Sequence, residues 1–154
     1  MSPPIPLTHP RGELPTPEEF ARVLHARGQR ATPQRYAILR ELRERGQHAT
    51  AEEIGRAVRA RMPGTSTPTV YATLDLLVGL GLVRRIDTGH GASVYDGGTE
   101  PHHHMVCRGC GAVTDLPGEL DAARWLDAAG ATGFRPEGAE LVVSGLCPSC
   151  APAS

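Results

Sequence analysis

His102-His103-His104-Met105-Val106-Cys107-Arg108-Gly109-Cys110 gathers three of the chain's seven histidines and two of its four cysteines into nine residues. Thiolates and imidazoles in one run are the donors from which metal sites are built. A second pair, Cys147-Pro148-Ser149-Cys150, follows with 36 residues between Cys110 and Cys147. The two CxxC pairs read as one four-cysteine zinc site, spaced more widely than the usual ribbon. Each pair makes a tight knuckle, over Arg108-Gly109 and over Pro148-Ser149, that aims both sulfurs at one ion. Four thiolates at about 2.3 Å fill the coordination sphere, so the site is structural rather than catalytic. The histidines read differently. His102 to Val106 has the pattern of extended chain, in which alternate side chains share a face. His102 and His104 then point one way and His103 the other, with the paired Cα atoms roughly 6.6 Å apart. The stretch predicts two metals, a staple of sulfur and a reversible site built from histidine.

The bounds agree with a small metal-stapled protein. The 154 residues suffice for one domain or two small ones, and at 4% aromatic content a single large core is not expected. Fourteen prolines and eighteen glycines punctuate the chain. No apolar run approaches the ~20 residues of a membrane span. Residues 1–15 form a proline-rich arm without a basic-then-apolar leader, so a cytoplasmic setting is expected. In that compartment CxxC pairs favour zinc over disulfides. The net charge of −1 hides a split: residues 1–91 hold thirteen Arg against nine Asp and Glu, a charge of +4, and residues 92–154 carry −5. A basic first half suits a nucleic-acid partner, although solvated helix faces account for the same count.

The first half repeats one punctuation. Thr16-Pro17-Glu18-Glu19 offers an N-cap, a proline at the first helical position and Glu at the third. The helix it opens runs through Phe20, Val23 and Leu24 to near Gly28. Thr32-Pro33 opens a second, with Tyr36, Ile38, Leu39 and Leu42 inward, ending at Gly46. Thr50-Ala51-Glu52-Glu53 is another capping box, leading to Ile54, Ala57, Val58 and Met62. Thr67-Pro68-Thr69 starts a fourth, with Val70, Leu74, Leu77 and Leu80 on one face, ending at Gly81. The period then changes. Leu82-Val83-Arg84-Arg85-Ile86 and Ala92-Ser93-Val94-Tyr95 read as two strands around the turn Thr88-Gly89-His90-Gly91. Helices followed by a two-stranded ribbon make a winged helix-turn-helix. The fourth helix is then the recognition helix. Ser66, Thr67, Thr69, Tyr71 and Thr73 at its start are small or polar and suited to phosphates and base edges. A winged helix used for protein contacts remains the alternative.

After a hinge at residues 97–101, the second half reads as the histidine strand, a strand at Gly111-Ala112-Val113-Thr114-Asp115-Leu116, and a helix over residues 118–129. A last strand, Glu140-Leu141-Val142-Val143-Ser144-Gly145-Leu146, feeds Cys147. Leu120, Ala123, Trp125 and Leu126 form the apolar side of the helix, with Trp125 expected in the core. So small a unit calls for a metal staple, and its apolar strand edge invites a second copy of the chain. The expected class is α+β. Residues 16–96 form a winged-helix DNA-binding domain, and residues 102–154 a small α/β dimerisation domain stapled by zinc.

Taken together, Thr32-Pro33-Gln34-Arg35-Tyr36-Ala37-Ile38-Leu39, Thr69-Val70-Tyr71-Ala72-Thr73-Leu74, the stretch from His102 to Gly111, and Gly145-Leu146-Cys147-Pro148-Ser149-Cys150 resemble the ferric-uptake-regulator (Fur) family over about residues 16–150. The resemblance implies a homodimeric repressor whose winged helix binds operator DNA when a divalent metal fills a regulatory site. It implies the ligands one by one: His102 and His104, before the first zinc cysteine; Asp96, after the second wing strand; Asp115, eight past Cys107; and His48, before the third helix. Arg30 matches a basic position that relatives use at the minor groove. Two departures from the pattern stand out, at three positions. Ala72 stands where relatives often carry Arg, and Pro101 and Ala139 stand where many carry the histidines of a further metal site. His103 is then spare, and His9, His25 and His90 read as surface residues.

Three nitrogens and two carboxylates suit Mn(II) or Fe(II). With all four cysteines committed to the staple, zinc sensing is the weaker alternative. Asp115, where iron sensors usually carry Glu, resembles the peroxide-sensing branch, in which bound Fe(II) reacts with peroxide and a ligating histidine is oxidised. Two rivals outside this reading are a small non-haem metalloenzyme, for which there is no cofactor motif and little chain to form a pocket, and a zinc-stapled adaptor with no sensing site. Neither a membrane nor a small organic substrate is expected as a partner.

Overall fold

Hydroxyl side chains start the helices of the first half. The structure, a computed structural model, describes residues 13–45, 48–98, 102–119 and 121–152. Helix α1 (Pro17–His25) is closed by a reciprocal box: Glu19 N–H donates to Thr16 Oγ1 at 3.2 Å, and Thr16 N–H to the Glu19 carboxylate at 2.8 Å. Thr32 caps α2 (Pro33–Arg45) through Arg35 N–H at 3.3 Å. Thr50 and Glu53 repeat the box at α3 (Ala51–Arg61), and the Thr50 N–H holds the Glu53 carboxyl below its ordinary range. Helix α4 (Thr67–Gly79) is capped by Ser66, one residue earlier than the Thr-Pro pattern predicts. Each such cap contributes ~1 kcal/mol. Gly46, the expected end of α2, lies outside the described residues.

The four helices share one core. Phe20 and Leu24 of α1, Ile38, Leu39 and Leu42 of α2, Ile54 and Val58 of α3, and Val70, Leu74 and Leu77 of α4 are all nearly inaccessible. Each fully buried aliphatic or aromatic side chain contributes about 1.5–3 kcal/mol. On the outside, Arg61 of α3 reaches Glu41 and Glu44 of α2 at 3.7 and 3.5 Å. The wing follows as β2 (Arg84–Asp87) and β3 (Ser93–Asp96), antiparallel, with Arg85 opposite Tyr95 and Ile86 opposite Val94. Gly89 and Gly91 turn between them with φ of +72° and +81°. Arg85 ties the wing back to Asp75 of α4. A strand that the sequence reading missed, β1 (Ala49–Thr50), pairs with the other edge of β3, giving the order β1-β3-β2. Two residues are too few to show alternation, and Thr50 is at the same time the cap of α3.

In the second half, β4 (His103–Cys107) is the centre of a three-stranded sheet of order β5-β4-β6. Strand β5 (Val113–Leu116) is antiparallel to it, and β6 (Val142–Gly145) is parallel. Helix α5 (Ala123–Gly130) begins later than expected, because Gly118 holds φ +100°, outside helical space. Leu120 lies outside the described residues. The expectation that Trp125 is a core residue is corrected: it is 59% exposed, and α5 buries none of its residues within one chain. Instead the Arg124 guanidinium lies 5.3 Å from its ring. The chain divides into two compact units, Met1–Glu100 and Pro101–Ser154. Among the described residues no helix is long and apolar enough to cross a membrane.

Candidate metal centres

The parallel pairing of β4 with β6 sets Cys107 beside Gly145 and so brings the two CxxC knuckles together. Arg108 N–H donates to Gly145 O at 2.8 Å, Gly111 N–H to Cys107 O at 2.8 Å, and Cys150 N–H to Cys147 O at 2.9 Å. The four sulfurs lie within 4.8 Å of one another, with Cys110 and Cys147 Sγ 3.9 Å apart. Tetrahedral zinc with bonds of about 2.3 Å needs edges of about 3.8 Å, so the donors fit the ion. The N–H groups of Cys147, Cys110 and Gly109 lower the Cys107 thiol to about 6. Hydrogen bonding to the Cys147, Cys107 and Cys110 sulfurs pushes Cys150 up to about 12. Gly109 is demanded by packing: a Cβ there would stand 3.0 Å from Cys150 Cβ and 3.1 Å from its sulfur.

On the other end of β4, alternation places His102 and His104 on one face, their ring centroids 4.5 Å apart. The register sets His104 opposite Asp115 of β5. Asp115 Oδ1 lies 3.5 Å from His102 Nε2 and 4.0 Å from His104 Nε2. Ligand atoms on one ion at about 2.1 Å stand roughly 3.0–3.4 Å apart, so a small contraction would close the three onto a metal. His103 points away, and its Nδ1 accepts the Leu141 N–H at 3.0 Å; this bond gives it a structural role beside β6. The sequence reading missed Glu140, whose Oε1 is 2.9 Å from His104 Nδ1. No spacing rule pointed to it, because only the parallel pairing of β6 brings residues 140–142 alongside β4.

In the first unit, the register of Ala49 against Tyr95 places His48 across from Asp96, with ligand atoms within 4.8 Å of each other. Asp96 is buried, and its Oδ1 accepts the Gly98 N–H at 2.8 Å. Gly97 packs on α2 so closely that a Cβ would meet the Leu42 backbone at 3.1 Å, which fixes the end of β3. The buried Arg43 guanidinium donates to Leu82 O at 3.1 Å. Burial lowers its pKa, and the neighbouring Asp96 carboxylate opposes that shift.

At the start of α4, Ser66, Thr67 and Tyr71 are exposed, and Thr69 is half-buried with its hydroxyl 2.8 Å from Ser66 Oγ. Thr73 is corrected: it is 1% exposed, because it falls on the inward stripe of Val70, Leu74 and Leu77. Arg30 is exposed at the rim of a polar depression lined by Gln29, Arg35, Thr65 and Thr69, and its carbonyl accepts from Arg35 Nη1 at 2.6 Å.

The sequence profile of the ferric uptake regulator family matches residues 26–144. The chain belongs to that family. It is 37% identical to the peroxide operon regulator of Bacillus subtilis strain 168 over 135 residues, 86% of this chain and 92% of that protein. Among solved structures, the manganese-containing ferric uptake regulator of Pseudomonas aeruginosa is 27% identical with a TM-score of 0.68, covering 81% of this chain and 95% of the other. The fold also matches the Helicobacter pylori ferric uptake regulator with a TM-score of 0.74 at 21% identity, over 89% of this chain and 95% of that one. This Fur-family protein is therefore a metal-responsive transcriptional regulator, and the metalloenzyme reading is set aside. Regulators of the Fur family bind DNA and act as dimers.

Proposed function

We propose that this Fur-family regulator is a dimeric repressor that binds operator DNA when Mn(II) or Fe(II) fills a site of His48, Asp96, His102, His104 and Asp115. Zinc is held by Cys107, Cys110, Cys147 and Cys150. The observation that carries the reading is the segregation of donors. All four sulfurs gather at one end of β4, and only nitrogen and carboxylate oxygen gather at the other. Imidazoles with hard carboxylates suit Fe(II) and Mn(II) better than a sulfur-containing set would. Asp115 and the similarity to a peroxide operon regulator support the peroxide-responsive branch.

A divalent ion held by these residues would bind ligands from both units, and iron would add the reactivity toward peroxide that the resemblance to the peroxide-sensing branch implies. His48 and Asp96 come from the first unit, and His102, His104 and Asp115 from the second. Ligands drawn from both can bias their arrangement by as much as the metal prefers one arrangement over others. Arg30, Ser66, Thr67, Thr69 and Tyr71 contact the operator. The exposed Trp125, Phe134, Val142, Val143 and Leu146 supply apolar surface for a second copy. The test is operator binding of zinc-stapled protein titrated with Mn(II), Fe(II) and Zn(II). Mn(II) and Fe(II) should raise affinity, and peroxide should abolish the iron response alone. An operator affinity indifferent to Mn(II) and Fe(II) contradicts the reading, and a response confined to Zn(II) makes the protein a zinc sensor.

A further inference from the structure

Glu140 stands where a side chain can decide which nitrogen of His104 meets a metal. The step from 140 to 142 is held against β4 by its backbone: His104 N–H donates to Leu141 O at 3.0 Å, and Leu141 N–H donates to His103 Nδ1 at 3.0 Å. Parallel pairing then sets Val142 beside His104. Glu140 is thereby anchored with its Oε1 2.9 Å from Nδ1 of the fully buried His104 ring. An ionised carboxylate can only accept, so the proton of a neutral imidazole in this pair sits on Nδ1. Nε2 is then the unprotonated nitrogen, on the side of Asp115 Oδ1 at 4.0 Å. Carboxylate–histidine–metal arrangements of this kind fix ring orientation and raise the basicity of the ligating nitrogen, and losing the outer partner typically lowers metal affinity 10–100-fold.

We propose that Glu140 is a positioning residue for the regulatory metal, holding His104 in the Nδ1–H tautomer with Nε2 presented as ligand. The inference rests on the reading of His104 as a regulatory ligand. Its competitor is a plain structural role, in which Glu140 merely secures the chain before β6. Glu140→Ala removes acceptor and charge together. Glu140→Gln keeps one oxygen that can accept a hydrogen bond from Nδ1–H, loses the charge and exchanges the second oxygen for an NH2 group.

The experiment uses full-length protein carrying zinc at the cysteines alone. Two-bond 1H–15N correlation spectra report the His104 tautomer, and competition with a fluorescent chelator reports Mn(II) affinity. The parent and Glu140→Gln should show Nδ1–H. Glu140→Ala should shift towards Nε2–H and lose about 10–100-fold in Mn(II) affinity, with Glu140→Gln between the two and zinc content and melting temperature unchanged. His104→Ala is the control for the underlying reading, and if it keeps parental Mn(II) affinity both readings fall. If His104→Ala loses Mn(II) and Glu140→Ala keeps both tautomer and affinity, the positioning role alone is wrong. A change in only one of tautomer and affinity overturns it too. So does a Glu140→Gln variant as impaired as Glu140→Ala in melting temperature and zinc content, since that marks a structural role.

Discussion

Three backbone N–H groups converge on the Cys107 sulfur, and this local geometry has a consequence for zinc chemistry. With Cys107 lowered to about 6 and Cys150 raised to about 12, zinc entering near neutral pH displaces a proton from Cys150 and none from Cys107. Affinity must therefore rise with pH. Below about pH 6 Cys107 also binds a proton that zinc has to displace, so the slope of log K against pH should steepen by about one unit there. Chelator competition between about pH 5 and pH 8 checks this, and a constant slope through pH 6 would count against a preformed Cys107 thiolate. Arg30 carries the second residue-scale prediction. Arg30→Ala should weaken operator binding and lower the salt slope by about one, as loss of one phosphate or groove contact does. Anisotropy titrations at several salt concentrations decide it, and an unchanged slope removes Arg30 from the interface. Thr73 marks where residue-type reasoning stopped. Its hydroxyl reads as polar in the sequence, but three residues past Val70 and four before Leu77 it turns inward with the apolar stripe.

At the scale of elements, the sequence was most legible where local chemistry sets the structure. Thr16 with Glu19 and Thr50 with Glu53 specify helix starts through bonds spanning three residues, and those helices begin where the pattern places them. Alternation from His102 to Val106 likewise predicts a strand with His102 and His104 on one face, and β4 and the ring pair conform. Pairing between distant strands leaves no such mark. Neither β1 against β3 nor the parallel β6 against β4 was readable, and with β6 went the partnership of Glu140 and His104. Trp125 misled because an apolar helix face was assigned to the chain's own core. β6 is an edge strand with Val142 and Val143 44% and 43% exposed. A charge on such an edge opposes association. Val143→Lys should shift the protein towards monomer in sedimentation while keeping one zinc per chain. A dimer as tight as the parent's would place the second copy elsewhere.

For the whole molecule, the charge split and the change of period near residue 82 pointed to two halves, and the chain divides into two compact units, Met1–Glu100 and Pro101–Ser154. The proposed regulatory ligands fall in both: His48 and Asp96 in the first unit, His102, His104 and Asp115 in the second. A metal that binds ligands from two units can change operator affinity only through its preference for the arrangement that fits DNA. About 1.4 kcal/mol of that preference is worth a factor of ten in population. The most direct test removes one proposed ligand from the first unit and leaves the four cysteines alone. Anisotropy of a labelled operator is followed as Mn(II) is added to the parent and to His48→Ala, with zinc content and dimer state checked in both. The parent should gain operator affinity with Mn(II), and His48→Ala should keep zinc and dimer but lose that gain. If His48→Ala gains as much affinity from Mn(II) as the parent, His48 is only a residue at a helix start, and metal does not control this protein through it.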